Sequence, residues 1–171
     1  MASLMEELIT TLEGENTEYI KLLELSKRKA SVIVERNIPQ LEKITDEEQT
    51  VVTRISRLDA KREEVTRDIA NVINKDVETL KLNVLIDLMA KQPVEQRKLA
   101  DVHDKLKKTL DQLRMINESN AELIKSALDM VEFDLNLVRS MRQAPETNNY
   151  GRSAVSVGDT LGAVKGFDAK Q

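Results

Sequence analysis

His103 is the sequence's single imidazole, and it stands between Asp101 and Asp104. A histidine beside carboxylates can relay protons, but acid–base catalysis also needs a substrate pocket and a second group poised on the same atom. Without a second histidine or any cysteine, it cannot open a His-pair metal site or a zinc–thiolate cluster. The adjacent carboxylates Glu47–Glu48 and Glu63–Glu64 are sequence neighbours. On a helix they point to different faces, so they make poor catalytic pairs. No glycine-rich phosphate loop and no nucleophile elbow occurs. The residues capable of chemistry thus argue against an enzyme, against a metal or other cofactor, and against a small-molecule substrate.

A different set of polar residues stands out through its company. Between Leu41 and Val72 a three–four spacing runs Leu41, Ile44, Glu48, Val51, Ile55, Leu58, Arg62, Val65, Ile69, Val72. Only Glu48 and Arg62 break it. Two charges in an apolar seam either fix register by pairing with polar groups on a facing helix, or extend their stems so that the heads reach water. In the C-terminal third, Asn117 and Asn120 interrupt a second seam, made of Leu106, Leu110, Leu113, Ile124, Ala127, Val131 and Val138. A parallel stripe follows at seven-residue steps, Ile116, Leu123, Met130, Leu137, and Leu128 and Leu135 lie on the other flank. This apolar face is wider than one neighbouring helix needs. Either two helices of the same bundle share it, or a partner covers part of it.

The elements that would carry these residues are long helices. Ile9, Leu12, Tyr19, Leu23, Ala30 and Ile33, with Asn16 and Ser26 as polar members, predict a first helix over roughly the first 36 residues. Asn37 and Pro39 predict a short turn and an antiparallel return over about 39–74. The segment from Leu80 to Ala90 predicts a short helix across the end of the long ones, and Pro93 opens a last helix ending near Gln143, before Pro145. The fold class is therefore all-α: an elongated antiparallel bundle of three long helices plus one short one. The expected bundle domain covers 1–144, and 145–171 forms a tail.

Composition agrees. Apolar residues are 40% and charged residues 33% of the 171, aromatics only 2%, and the net charge is −4. Interspersed signs without a basic stripe exclude a nucleic-acid partner. The acidic, amphipathic N-terminus is not a signal peptide, and no apolar stretch approaches the ~20 residues of a membrane span. A soluble cytoplasmic protein is the expectation. In the tail, glycines at 151, 158, 162 and 166 alternate with Val155, Val157, Leu161, Val164 and Phe167. Such a segment loses too much backbone entropy to fold alone, yet its apolar side chains suit docking on a partner.

The stretch INESNAELIKSALDMV, with its Asn117-x-x-Asn120, resembles the last helix of the FlgN-like flagellar export chaperones. NNYGRSA and the closing FDAKQ resemble tails of that family, and the Glu48…Leu58…Arg62 helix fits it too. Ala154 departs from the glycine common shortly after the tyrosine. The resemblance implies a cytosolic type III export chaperone for hook–filament junction (hook-associated) proteins, binding their C-terminal amphipathic helical segment without cofactors. It also implies that Tyr150, with Gly151, docks on a membrane export-gate component. The residues themselves suggest Ile116, Leu123, Met130, Phe133 and Leu137 as the client-binding surface. Client-free, the spare apolar width could close on a second copy as a homodimer. The alternative from another class is a structural coiled-coil adaptor or tether.

Overall fold

In the computed structural model the backbone of residues 2–164 and the side chains of residues 3–143 are described. The chain is all-α. Helix α1 spans Ala2–Val34 and α2 spans Ile38–Ile73. A 3₁₀ turn at Val77–Thr79 leads into α3, Leu82–Leu88, and α4 runs Pro93–Val164.

The turn between α1 and α2 is built by local chemistry. Arg36 takes a left-handed φ of 55°. Asn37 caps α2, its side-chain oxygen accepting from the Gln40 amide at 3.2 Å, with a proline in the first turn where its missing N–H costs nothing. Asn74 closes α2 in the left-handed conformation, φ 53°, a position that asparagine tolerates. At 36 residues α2 is about 54 Å long.

Two units make up the chain, Met1–Lys125 and Ser126–Gln171. In the first unit α2 returns antiparallel to α1: Glu7 pairs with Lys61, Glu15 with Arg62, and Lys29 with Glu48. Helix α4 runs parallel to α1, since Asn16 meets Thr109 and Ser26 meets Asn120. One core cluster gathers Met5, Leu8 and Leu12 of α1, Val65, Ile69 and Ala70 of α2, and Leu99, Val102 and Leu106 of α4. Leu80, Leu85 and Met89, around α3, close that end of the bundle. Gln96 Nε2 donates to the Ile86 carbonyl at 2.9 Å and fixes the turn from α3 into α4. A second cluster joins Leu25 and Val32 to Ile44, Val51 and Ile55 near the α1–α2 turn. Each fully buried leucine contributes roughly 1.5–3 kcal/mol.

Three sequence expectations are corrected. Val72, the last member of the α2 series, is exposed, and Ala70 and Ile73 take its place against the core. A straight helix drifts about 20° per heptad from a seven-residue repeat, so a face chosen by strict spacing rotates away from the core over ten positions. The short helix is α3 preceded by a 3₁₀ turn, rather than one continuous helix from Leu80. Finally, α4 does not stop near Gln143; its helical backbone continues through Pro145 to Val164. A proline removes one internal hydrogen bond, which weakens a helix without obliging it to end.

Candidate binding surfaces on the fourth helix

Which face of α4 is buried decides what the protein can bind. In the first unit the buried positions are Leu99, Val102, Leu106, Thr109, Leu113 and Asn120, with Ile116 and Leu123 half-buried among them. Leu110, Asn117 and Ile124 are exposed. The seam inferred from sequence therefore mixed two faces. Leu106 and Leu113 belong to the core, whereas Leu110, Asn117 and Ile124 look outward. The cause is chemical. Thr109 donates to Asn16 Oδ1 at 2.9 Å and Asn120 Nδ2 donates to the Ser26 carbonyl at 2.8 Å. Two polar residues occupy the core face because each finds a partner there, and a count of apolar side chains could not see that.

Glu48 and Arg62 sit where α2 meets α1. The Glu48 carboxylate contacts the Lys29 ammonium and accepts from Ser26 Oγ at 3.4 Å. The Arg62 guanidinium lies 3.4 Å from Glu15 and also pairs with Asp59. Glu15 is only 2% exposed. Burial, only partly offset by the Arg62 charge, raises its carboxyl above the ordinary carboxylate range, and Asp59 adds to the rise. Tyr19 is raised too, first by burial and then by Glu15 and Asp59. Sequence spacing marked Arg62 but missed Glu15, because glutamates abound on these helices and nothing local flags the buried one. The structure does not bring Glu48 and Arg62 together; they serve two separate polar clusters along the hairpin.

In the second unit the side chains described are those of residues 126–143. From Leu128 to Gln143 every residue is exposed. Leu128, Val131, Leu135 and Val138 recur at three–four spacing on one face. Met130, Leu137 and Met141 form a stripe beside it, and Phe133 lies further round, 66% exposed. Of the residues suggested for client binding, Met130, Phe133 and Leu137 are exposed here, while Ile116 and Leu123 belong to the first unit and are half-buried. Tyr150 and Gly151 lie outside the residues whose side chains are described, and residues 165–171, with Phe167, lie outside the described residues altogether.

No group of three or more metal-ligating side chains occurs among the described residues. His103 Nδ1 lies 3.2 Å from Asp104 Oδ1, and Asp104 is almost fully in solvent. No helix of the described residues is long and apolar enough to cross a membrane. The geometry is that of a helical bundle tied by polar contacts and a helix whose apolar side chains at 128–141 are exposed. Residues 1–157 match the family described as FlgN protein, and the chain belongs to that family. FlgN proteins are flagellar export chaperones rather than enzymes. No curated protein and no solved structure matches the chain.

Proposed function

We propose that this chain is a cytosolic type III export chaperone for hook–filament junction proteins. It holds their C-terminal amphipathic helical segment, prevents premature association and delivers them to the membrane export gate. The observation that carries the reading is the outward apolar face of residues 128–141. Helices in proteins draw most of their stability from packing an apolar face, and an isolated helix is marginal in water. A helix with Leu128, Val131, Leu135 and Val138 in solvent has its packing energy still to gain, and an amphipathic helix of a client supplies the matching surface. Methionines 130 and 141 suit a surface that must fit more than one client shape, because the unbranched thioether chain adapts.

Within this reading, Met130, Phe133 and Leu137 extend the contact area. Tyr150 and Gly151 supply the gate-docking element that the family resemblance implies. When no client is present, the same face closes on a second copy. Replacing Leu128 and Leu135 together with glutamate tests the reading. Client co-purification should be lost while circular dichroism keeps its helical signal. Unchanged co-purification would overturn the assigned face. Recovery of the chain from purified flagella instead of cytosol would make it a tether.

A further inference from the structure

Where α2 meets the 3₁₀ turn and the start of α3, the first unit carries a cleft of about 490 Å³. Thr66 and Arg67 line it from α2, and Val77, Leu80, Lys81 and Leu82 from the turn and α3. Its apolar wall is only partly covered: Leu80 belongs to the core, Leu82 is half-buried and Val77 is 38% exposed. Thr66 is half-buried and differs from its kind. The other helical threonines whose side chains are described return the hydroxyl to the carbonyl four residues earlier, as Thr45 does to Leu41. The Thr66 hydroxyl makes no hydrogen bond among the described residues, and it is not shut away from solvent.

Charge narrows the occupant. Three cations line the cleft, Arg62, Arg67 and Lys81, against one carboxylate, Glu63. Arg62 is answered by Glu15 and Asp59. Glu63, one turn before Arg67, does not pair with it. Arg67 and Lys81, both exposed, have no carboxylate within pairing distance among the described residues. The cleft thus presents two cations and a hydroxyl, all able to donate and none with an acceptor. A long polyanion does not suit it, because Asp68 adjoins Arg67 and Asp76 and Glu78 flank Val77. A small free anion would have only exposed charges to hold it, and an exposed ion pair is worth about 0.2–1 kcal/mol. Apolar contact with Val77 and Leu82 has to supply the rest, at roughly 25 cal/mol per Å² covered.

We propose that this cleft binds an acidic segment of a partner protein, in which one aspartate or glutamate is followed or preceded by an aliphatic residue. The carboxylate sits between Arg67 and Lys81 and accepts from the Thr66 hydroxyl, so that one group answers all three donors. The aliphatic neighbour covers Val77 and Leu82. The cleft shares no residue with the face at 128–141, and the inference does not depend on the chaperone reading.

The test titrates the full, isotopically labelled chain with an end-blocked peptide, Ser-Leu-Glu-Leu-Ser, and follows backbone amide shifts by NMR. The amides of Thr66, Arg67, Leu80, Lys81 and Leu82 should move. The same peptide with glutamine in place of glutamate should bind about fivefold more weakly, the worth of one exposed ion pair. On Arg67→Gln/Lys81→Gln the two peptides should bind alike, and Thr66→Val should weaken the glutamate peptide alone. All three positions line the cleft rather than the core, and the amide spectrum itself reports whether each variant keeps its fold. Equal affinity of the two peptides for the wild-type chain, or no shift at these amides, would overturn the proposal. So would inorganic phosphate moving the same amides at the same concentration, which would make the cleft a place for an adventitious ion only.

Discussion

Glu15 makes an individual side chain visible in solution. Its folded carboxyl is raised above the ordinary value, 4.5, mainly by burial. A raised group contributes stability that is fully present below its unfolded pKa and is lost as pH rises through its folded pKa. Glu15 therefore penalises the fold at neutral pH. In Glu15→Gln that penalty is absent. The midpoint of thermal unfolding at neutral pH should equal or exceed wild type, and the difference between the two proteins should shrink or reverse as pH falls toward 4.5. Melting curves of both proteins across this window check it; a variant less stable than wild type at neutral pH, with the gap closing in acid, would show that the Arg62 pairing outweighs burial. Asn120 is the other informative residue. Asn120→Ala removes one buried hydrogen bond and one unsatisfied acceptor together, so its cost should stay near ~1 kcal/mol. Leu12→Ala, fully buried, should cost about 2–5 kcal/mol by the cavity it leaves.

At the level of elements, the helices were legible where apolar spacing and caps agreed. Asn37 and Pro39 marked the first turn, and Pro93 marked the start of α4. What spacing could not reveal was the rotation of α4. Leu110, Ile124, Val131 and Val138 look as much like a core seam as Leu99, Val102, Leu106 and Leu113 do. The choice between them was made by Thr109 and Asn120, through hydrogen bonds to residues some ninety positions earlier that no local pattern encodes. The far end of α4 was misjudged for a related reason: proline and glycine preferences describe tendencies of short windows, and a long helix can run past them. Two tests belong here. Asn37→Ala should destabilise α2 by about 1 kcal/mol through loss of its cap, measured by denaturant titration. Gly14→Ala should stabilise α1 by roughly 1 kcal/mol, because an added methyl would meet the Leu58 side chain at an ordinary 3.5 Å.

For the molecule as a whole, the two core clusters lie entirely within the first unit. A chain ending at Lys125 should therefore unfold cooperatively, with a midpoint close to that of the full protein, while losing the outward face of residues 128–141. Calorimetry and peptide anisotropy on the shortened chain separate these outcomes: a non-cooperative melt would show that the second unit helps hold the first together. The exposure of the suggested surface was partly legible in the same way. Surplus apolar width in the last helix was evident from its seven-residue spacing, and Met130, Phe133 and Leu137 are exposed. Ile116 and Leu123 were not distinguishable from them, because a seven-residue repeat continues unchanged while its surroundings pass from core to solvent.

The polar ties of α4 to α1 span 93 and 94 residues of sequence, whereas α1 and α2 are joined by a turn of a few residues. Closing the longer loop demands more chain entropy before any contact repays it. The α1–α2 hairpin should thus form while the ribosome is still making the last helix, and α4 should zip on afterwards, Thr109 and Asn120 acting as the teeth that set its register. In refolding kinetics, Val51→Ala should slow folding, whereas Thr109→Val should chiefly hasten unfolding.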